Sequence, residues 1–106
     1  MKLKNEFEPI RNWAKEKGIY EKGDLKTQTL KLIEEAGELS RSVLNNDKNE
    51  IIDAIGDCVV VLTSIAKLAE QHFNEEITIE SCVNIAYHVI AKRKGQMENG
   101  TFVKEK

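Results

Sequence analysis

The stretch Lys31-Leu32-Ile33-Glu34-Glu35-Ala36-Gly37-Glu38-Leu39, followed after a short break by Asp53-Ala54-Ile55-Gly56-Asp57-Cys58-Val59-Val60-Val61-Leu62, decides how this chain is read. Both runs are apolar at helical spacing, with acids embedded in them. If the two helices lie side by side, four or five carboxylates converge, and each pair about 5 Å apart repels by roughly 3 kcal/mol at an effective dielectric near 20. A hard divalent cation removes that repulsion. The residues therefore point to Mg²⁺, with Mn²⁺ as an alternative, and to a phosphate substrate.

Working outward, the whole chain reads as helical. A first helix carries Pro9 in its first turn and runs to Lys17, with Gly18 as its stop. GIYEKGD is then a loop. Asp24 caps a second helix reaching about Leu44. Asp47 with Glu50 resembles a capping box for a third, Lys48 to about Gln71, and Thr78 caps a fourth that ends near Gly95. The tail MENGTFVKEK is expected to be a loose extension whose Phe102 and Val103 can dock on a partner.

At 100° per residue, Leu32, Ala36, Leu39 and Val43 form one apolar stripe on the second helix, widened by Leu30, Ile33 and Leu44. Gln28, Lys31, Glu35 and Glu38 share the opposite flank, so Glu35 borders the core while Glu34 and Arg41 face solvent. On the third helix Glu50, Asp53 and Asp57 share a face that continues as Val60, Val61, Ser64 and Leu68. An aspartate there is costly to bury as a bare charge unless it is paired or bound to metal. Gly56 beside it would admit another helix closely.

Length and composition bound the rest. The 106 residues make one domain spanning 1–106, small enough that pairing with a second copy would help it. A net charge of -2 excludes a strongly basic surface for a nucleic-acid polymer, although Lys92, Arg93 and Lys94 form a local basic run. No apolar stretch is long enough for a signal peptide or a bilayer span, which predicts a cytoplasmic protein without a membrane partner. Cys58 and Cys82 read as buried reduced thiols. His72 and His88 read as surface or helix-end residues, since Ala69 and Ile85 stand where a di-iron bundle needs glutamate.

A plainer alternative stands beside the cation site. With 32% charged residues, Glu34, Glu35 and Glu38 can be a solvated helix face, and Asp53 and Asp57 can pair with Lys31 or Arg41. Acids on adjacent helices with few bases between them favour the cation.

Gln28-x-x-Lys31-x-x-Glu34-Glu35-x-x-Glu38-Leu39, then Asp53-Ala54-Ile55-Gly56-Asp57 followed by VVVLTSIA, resembles the MazG-like nucleoside triphosphate pyrophosphohydrolases. The match covers about Gln28 to Leu68, and the ending from Ala91 to Phe102 is similar to the tail of short bacterial and phage members. The resemblance implies an all-α, four-helix bundle assembled as a dimer or dimer of dimers. It also implies Mg²⁺ on the second and third glutamates of EExxE and on a following ExxD, here Glu35, Glu38 and Asp57. One position departs: the glutamate of ExxD is Ala54. Asp53, one turn from Asp57, can substitute for it; Glu50-x-x-Asp53 is the alternative register and leaves Asp57 unexplained.

The implied reaction is water attack on the α-phosphorus of a nucleoside triphosphate, releasing pyrophosphate and a monophosphate. Glu35, Glu38, Asp53 and Asp57 are then the ligands, and Glu34 lies behind them or helps the water. Gln28, Lys31 and a base from Lys92, Arg93 or Lys94 are placed for the phosphates, though that basic run can equally serve the end of its own helix. Asn84 and Tyr87 can reach the nucleotide or an interface. Trp13 can stack on a base, although a single helical tryptophan is more often core. The alternative function is a non-catalytic helical assembly or nucleotide-binding module, a degenerate member of the family, favoured by Ala54.

Overall fold

The computed structural model describes residues 5–105. Three polar caps set where the main helices start. The Asp24 carboxylate accepts from the Thr27 amide at 2.8 Å, and the Asp47 carboxylate from the Glu50 amide at 3.1 Å. Thr78 and Ser81 cap each other reciprocally, both at 3.0 Å. Each satisfies amides that the first helical turn leaves without a partner.

The helices are α1 (Phe7–Glu16), α2 (Ile19–Lys22), α3 (Leu25–Leu44), α4 (Lys48–Phe73) and α5 (Ile79–Ile90). The class is all-α, and each of the four helices read from the sequence is present. Three local readings change. GIYEKGD holds the single turn α2, entered through Gly18 at φ 80. Helix α4 runs on to Phe73, where Asn74 turns it off at φ 54. Helix α5 stops at Ile90 rather than near Gly95, and the supposedly loose tail is a hairpin of β1 (Gly95–Glu98) and β2 (Thr101–Lys104), with Met97 opposite Phe102. Its turn is Asn99-Gly100, both at positive φ (49 and 85), the backbone that a two-residue hairpin loop demands.

Helices α3 and α4 form an antiparallel pair, the main contact of the molecule, with α1 and α2 laid against α4. Buried on α4 are Ala54, Val61, Thr63, Ser64, Ala66 and Leu68, and α1 contributes Ala14. On α3 the buried residues are Glu35 and Ser42, flanked by half-buried Leu32 and Leu39. The expected stripe is therefore rotated. Ala36 and Val43 are exposed, Leu30 and Ile33 lie open, and Glu35 is inside rather than at the border. Small residues are buried on α4, Ala54 and Ser64 among them, which permits a close approach, and Ser64 lines a cleft together with Glu35.

Among the described residues the backbone of α5 packs against α4, and the two strands pack against each other. Arg11 of α1 ties the start of α5 down, donating to both Glu80 oxygens at 2.7 and 2.8 Å and holding that carboxyl below its usual range. Beyond that point residues 82–90 and both strands are exposed. The radius of gyration of 16.1 Å exceeds the roughly 13 Å of a close-packed chain of about 100 residues, as a protruding α5 and hairpin require. Cys82 is consequently exposed and Cys58 half-buried, against the reading of two buried thiols. His72 and His88 are exposed, as read. Among the described residues no helix is long and apolar enough to cross a membrane; residues 1–4, part of the segment judged against a signal peptide, lie outside them.

Candidate metal centre

The antiparallel register of α3 and α4 places Glu35 and Glu38, successive turns of one helix, opposite Asp57 on the other. Carboxylate oxygens of these three residues lie within 4.8 Å of one another. Glu35 is 6% exposed. Its Oε1 accepts from Lys31 Nζ at 3.1 Å, and its Oε2 is buried with no partner. A buried carboxylate oxygen left without a donor is destabilising unless a cation or water fills the place. The donor set suits a hard ion: oxygens only, negatively charged, converging on one point.

Electrostatics agree with the geometry. The Glu38 carboxyl is pushed above its usual range, first by the charge of Glu35 and then by burial. Asp57 is pushed up by burial first, then by the charges of Asp53 and Glu35. Lys31 is pushed up by its hydrogen bond to Glu35 and by the charge of Glu34. The fold thus holds like charges close together, a repulsion that a bound cation would relieve.

A cleft of about 360 Å³ opens over this cluster, lined by Trp13, Ile19, Thr27, Gln28, Lys31, Glu35, Asp57 and Val60 among others. Gln28 and Lys31, read as substrate contacts, line this cleft beside Glu35. Trp13 is 46% exposed on the cleft wall, which removes the commoner expectation of a core tryptophan. A second cleft, about 810 Å³, meets Asp57 from the other side and is walled by Phe7, Ile10, Ile52, Asp53, Gly56 and Val60. Gly56 admits no second helix here: a side chain on it would meet nothing within 4 Å.

Not every predicted residue joins the cluster. Asp53 is exposed, outside the converging trio, and bears on it through its charge on Asp57. Glu34 has an exposed side chain whose nearest cation is Lys31 at 3.9 Å. Asn84 and Tyr87 are exposed on α5, and Lys92, Arg93 and Lys94 follow it in the exposed link to β1; none of them lines either cleft. Sequence reasoning missed Phe7 and Ile10, whose spacing with Ala14 marks the inner face of α1, and Ile19, hidden in a segment read as loop.

Comparison with known proteins gives a consistent result. Residues 24–97 match the family model described as the MazG nucleotide pyrophosphohydrolase domain. An uncharacterized 18.2 kDa protein in the rep-hol intergenic region of Haemophilus phage HP1 (strain HP1c1) is 41% identical over 58 residues, which cover 55% of this chain and 36% of that relative. The chain thus spans about a third of the relative's length. No solved structure matches.

Proposed function

The chain belongs to the MazG nucleotide pyrophosphohydrolase family, and from that premise we propose that it hydrolyses a nucleoside triphosphate to the monophosphate and pyrophosphate. The observation that carries this reading is the convergence of Glu35, Glu38 and Asp57 around the unpartnered Oε2 of Glu35 at the floor of a cleft. In this reading Glu35, Glu38 and Asp57 hold Mg²⁺ or Mn²⁺, and Asp53 supplies the charge that Ala54 lacks. When bound, such a cation supplies Lewis acidity toward the phosphates and eases deprotonation of water.

The chain's own residues do the rest. Lys31 and Gln28 line the cleft beside the acids and offer donors to phosphate oxygens. Trp13 on the same wall offers a flat face to the base. Glu34, exposed beside Glu35, helps the water that adds to the α-phosphorus and takes up the proton that the water gives up. The bond from that phosphorus to the bridging oxygen breaks, and pyrophosphate leaves with the electron pair.

Assembly belongs to the same reading. Val83, Ile85, Val89 and Ile90 on α5, with Ile33, Ile52 and Ile55 on the α3–α4 pair, are each at least half exposed, more apolar surface than an isolated chain of this size leaves in water. A homodimer or dimer of dimers covers it and brings Asn84, Tyr87, Lys92 and Arg93 to a cleft only across chains.

A panel of NTPs and dNTPs, assayed for pyrophosphate with and without Mg²⁺ or Mn²⁺, tests the activity, and light scattering tests the assembly. We expect metal-dependent pyrophosphate release from at least one substrate. A panel silent throughout, with nucleotide binding retained, establishes instead the non-catalytic module that Ala54, buried against α3 without a carboxylate, favours.

A further inference from the structure

Within the acidic cluster one contact is of a different kind. Lys31 Nζ sits 3.1 Å from Glu35 Oε1 and 3.9 Å from Glu34 Oε2. The two partners differ in freedom: the Glu35 side chain is 8% exposed, whereas that of Lys31 is 47% exposed on a flexible stem. Glu35 is fixed and Lys31 can leave.

We propose that Lys31 is an exchangeable counter-ion of this cluster, holding Glu35 Oε1 until a divalent cation takes that oxygen and then turning to the polyphosphate in the same cleft. The inference rests on the metal-centre reading above and adds an order of events to it. Lys31 already satisfies one oxygen of Glu35, while the buried Oε2 beside it has no partner. A half-exposed lysine pair is weakly held and gives way to a doubly charged ion. The freed ammonium remains on the cleft wall next to Gln28, where a compact, freely rotating donor suits phosphate. Metal loading therefore creates the anion site, so that nucleotide binds after the cation.

The test measures Mn²⁺ affinity by calorimetry on the full chain without nucleotide, for the parent, Lys31→Met and Lys31→Gln. Removing the competing charge should tighten Mn²⁺ roughly five- to tenfold. With Mn²⁺ saturating, inorganic pyrophosphate should bind the variants about tenfold more weakly than the parent. Mn²⁺ affinity that is unchanged or weaker in the variants overturns the counter-ion role while leaving the metal centre standing; a parent that binds no Mn²⁺ overturns both. Should the variants fail to fold, the ¹⁵N signal of the Lys31 ammonium in the parent is followed through a Mg²⁺ titration. A shift on loading supports the exchange, and a signal that stays still through saturation overturns it.

Discussion

The α3–α4 pair and the region from α5 through the hairpin are built from similar proportions of apolar residues and treat them differently. Along the seam of the pair, Ala54, Val61, Ser64 and Leu68 are buried, and a carboxylate, Glu35, is buried with them. In the second region the aliphatic side chains of Ile85, Val89, Ile90 and Met97 lie at least half exposed. A buried acid among small residues is the ground for the proposed cation site. Uncovered aliphatic side chains on a helix held to the body mainly at its start are the ground for the proposed assembly. The first region gathers its acids within one chain, and the second leaves its apolar face uncovered.

The sharpest way to break this contrast is at Asp57. Asp57→Asn keeps the shape and removes the charge, so hydrolysis should fall by about three orders of magnitude while helicity is retained. Metal-free melting should rise at the same time, because a partly buried charge repelled by Asp53 and Glu35 is gone. Glu50→Gln, on the exposed first turn of α4, should leave the rate within about twofold of the parent. The opposite ranking would move the ligands to Glu50 and Asp53.

Stability separates the two regions next. Leu68→Ala, at a 5% exposed position, should destabilise the chain by about 2–5 kcal/mol in denaturant titration. Ile85→Ala, 66% exposed, should change the stability of dilute monomer by under about 0.5 kcal/mol, yet lower self-association at high concentration. Equal losses for both in the monomer would mean that α5 is covered from within.

The departure at Ala54 sharpens the first region further. If Asp53 has taken over the missing ligand's work, Asp53→Asn should lower the rate about a hundredfold, and Ala54→Glu in that background should recover part of it. Recovery requires the longer side chain to leave a position only 4% exposed without forcing α3 away. Parental rates in Asp53→Asn would leave a centre of three carboxylates.

The smallest effect expected is on pH. Glu38 and Asp57 have raised folded-state values, so their contribution to metal-free stability is present at acid pH and is lost as pH rises through those values. Asp24, Glu70 and Glu80 are lowered and act oppositely, their contribution disappearing as pH falls. The melting gap between Asp57→Asn and the parent should therefore widen from about pH 4 to about pH 7. Saturating Mg²⁺ should raise the parent most at the upper end. A gap that does not change with pH would show that neither burial nor its neighbours' charges disfavour the ionised Asp57.

What could be read from the sequence was what depends on neighbours a few residues away. Asp24, Asp47 and Thr78 announced three helix starts because a cap acts on its own first turn. The spacing of Glu35, Glu38 and Asp57 placed them together because two adjacent helices leave few alternatives. The rotation of α3 was not legible: with Leu30, Ile33, Ala36 and Val43 all apolar, which side is covered depends on the small residues of α4 rather than on α3 itself. The hairpin did carry a local sign, Asn99-Gly100 between alternating residues, and was overlooked because four-residue strands look like tail. The remoteness of Asn84, Tyr87, Lys92 and Arg93 from the cleft had no local sign, since it follows from how little of α5 rests on the body.

The hairpin's isolation has a consequence in time as well as in space. A two-stranded ribbon with no third element against it is marginal in water, so the amide protons of residues 95–104 should be replaced by solvent deuterium within seconds in dilute protein. Those along the α3–α4 seam should wait for global opening, because their helical bonds are sealed beneath packed side chains. The hairpin is thus an internal clock. Read at rising protein concentration, the slowing of its exchange, and of the amides of α5, would trace residue by residue the footprint of the chain that comes to rest on it.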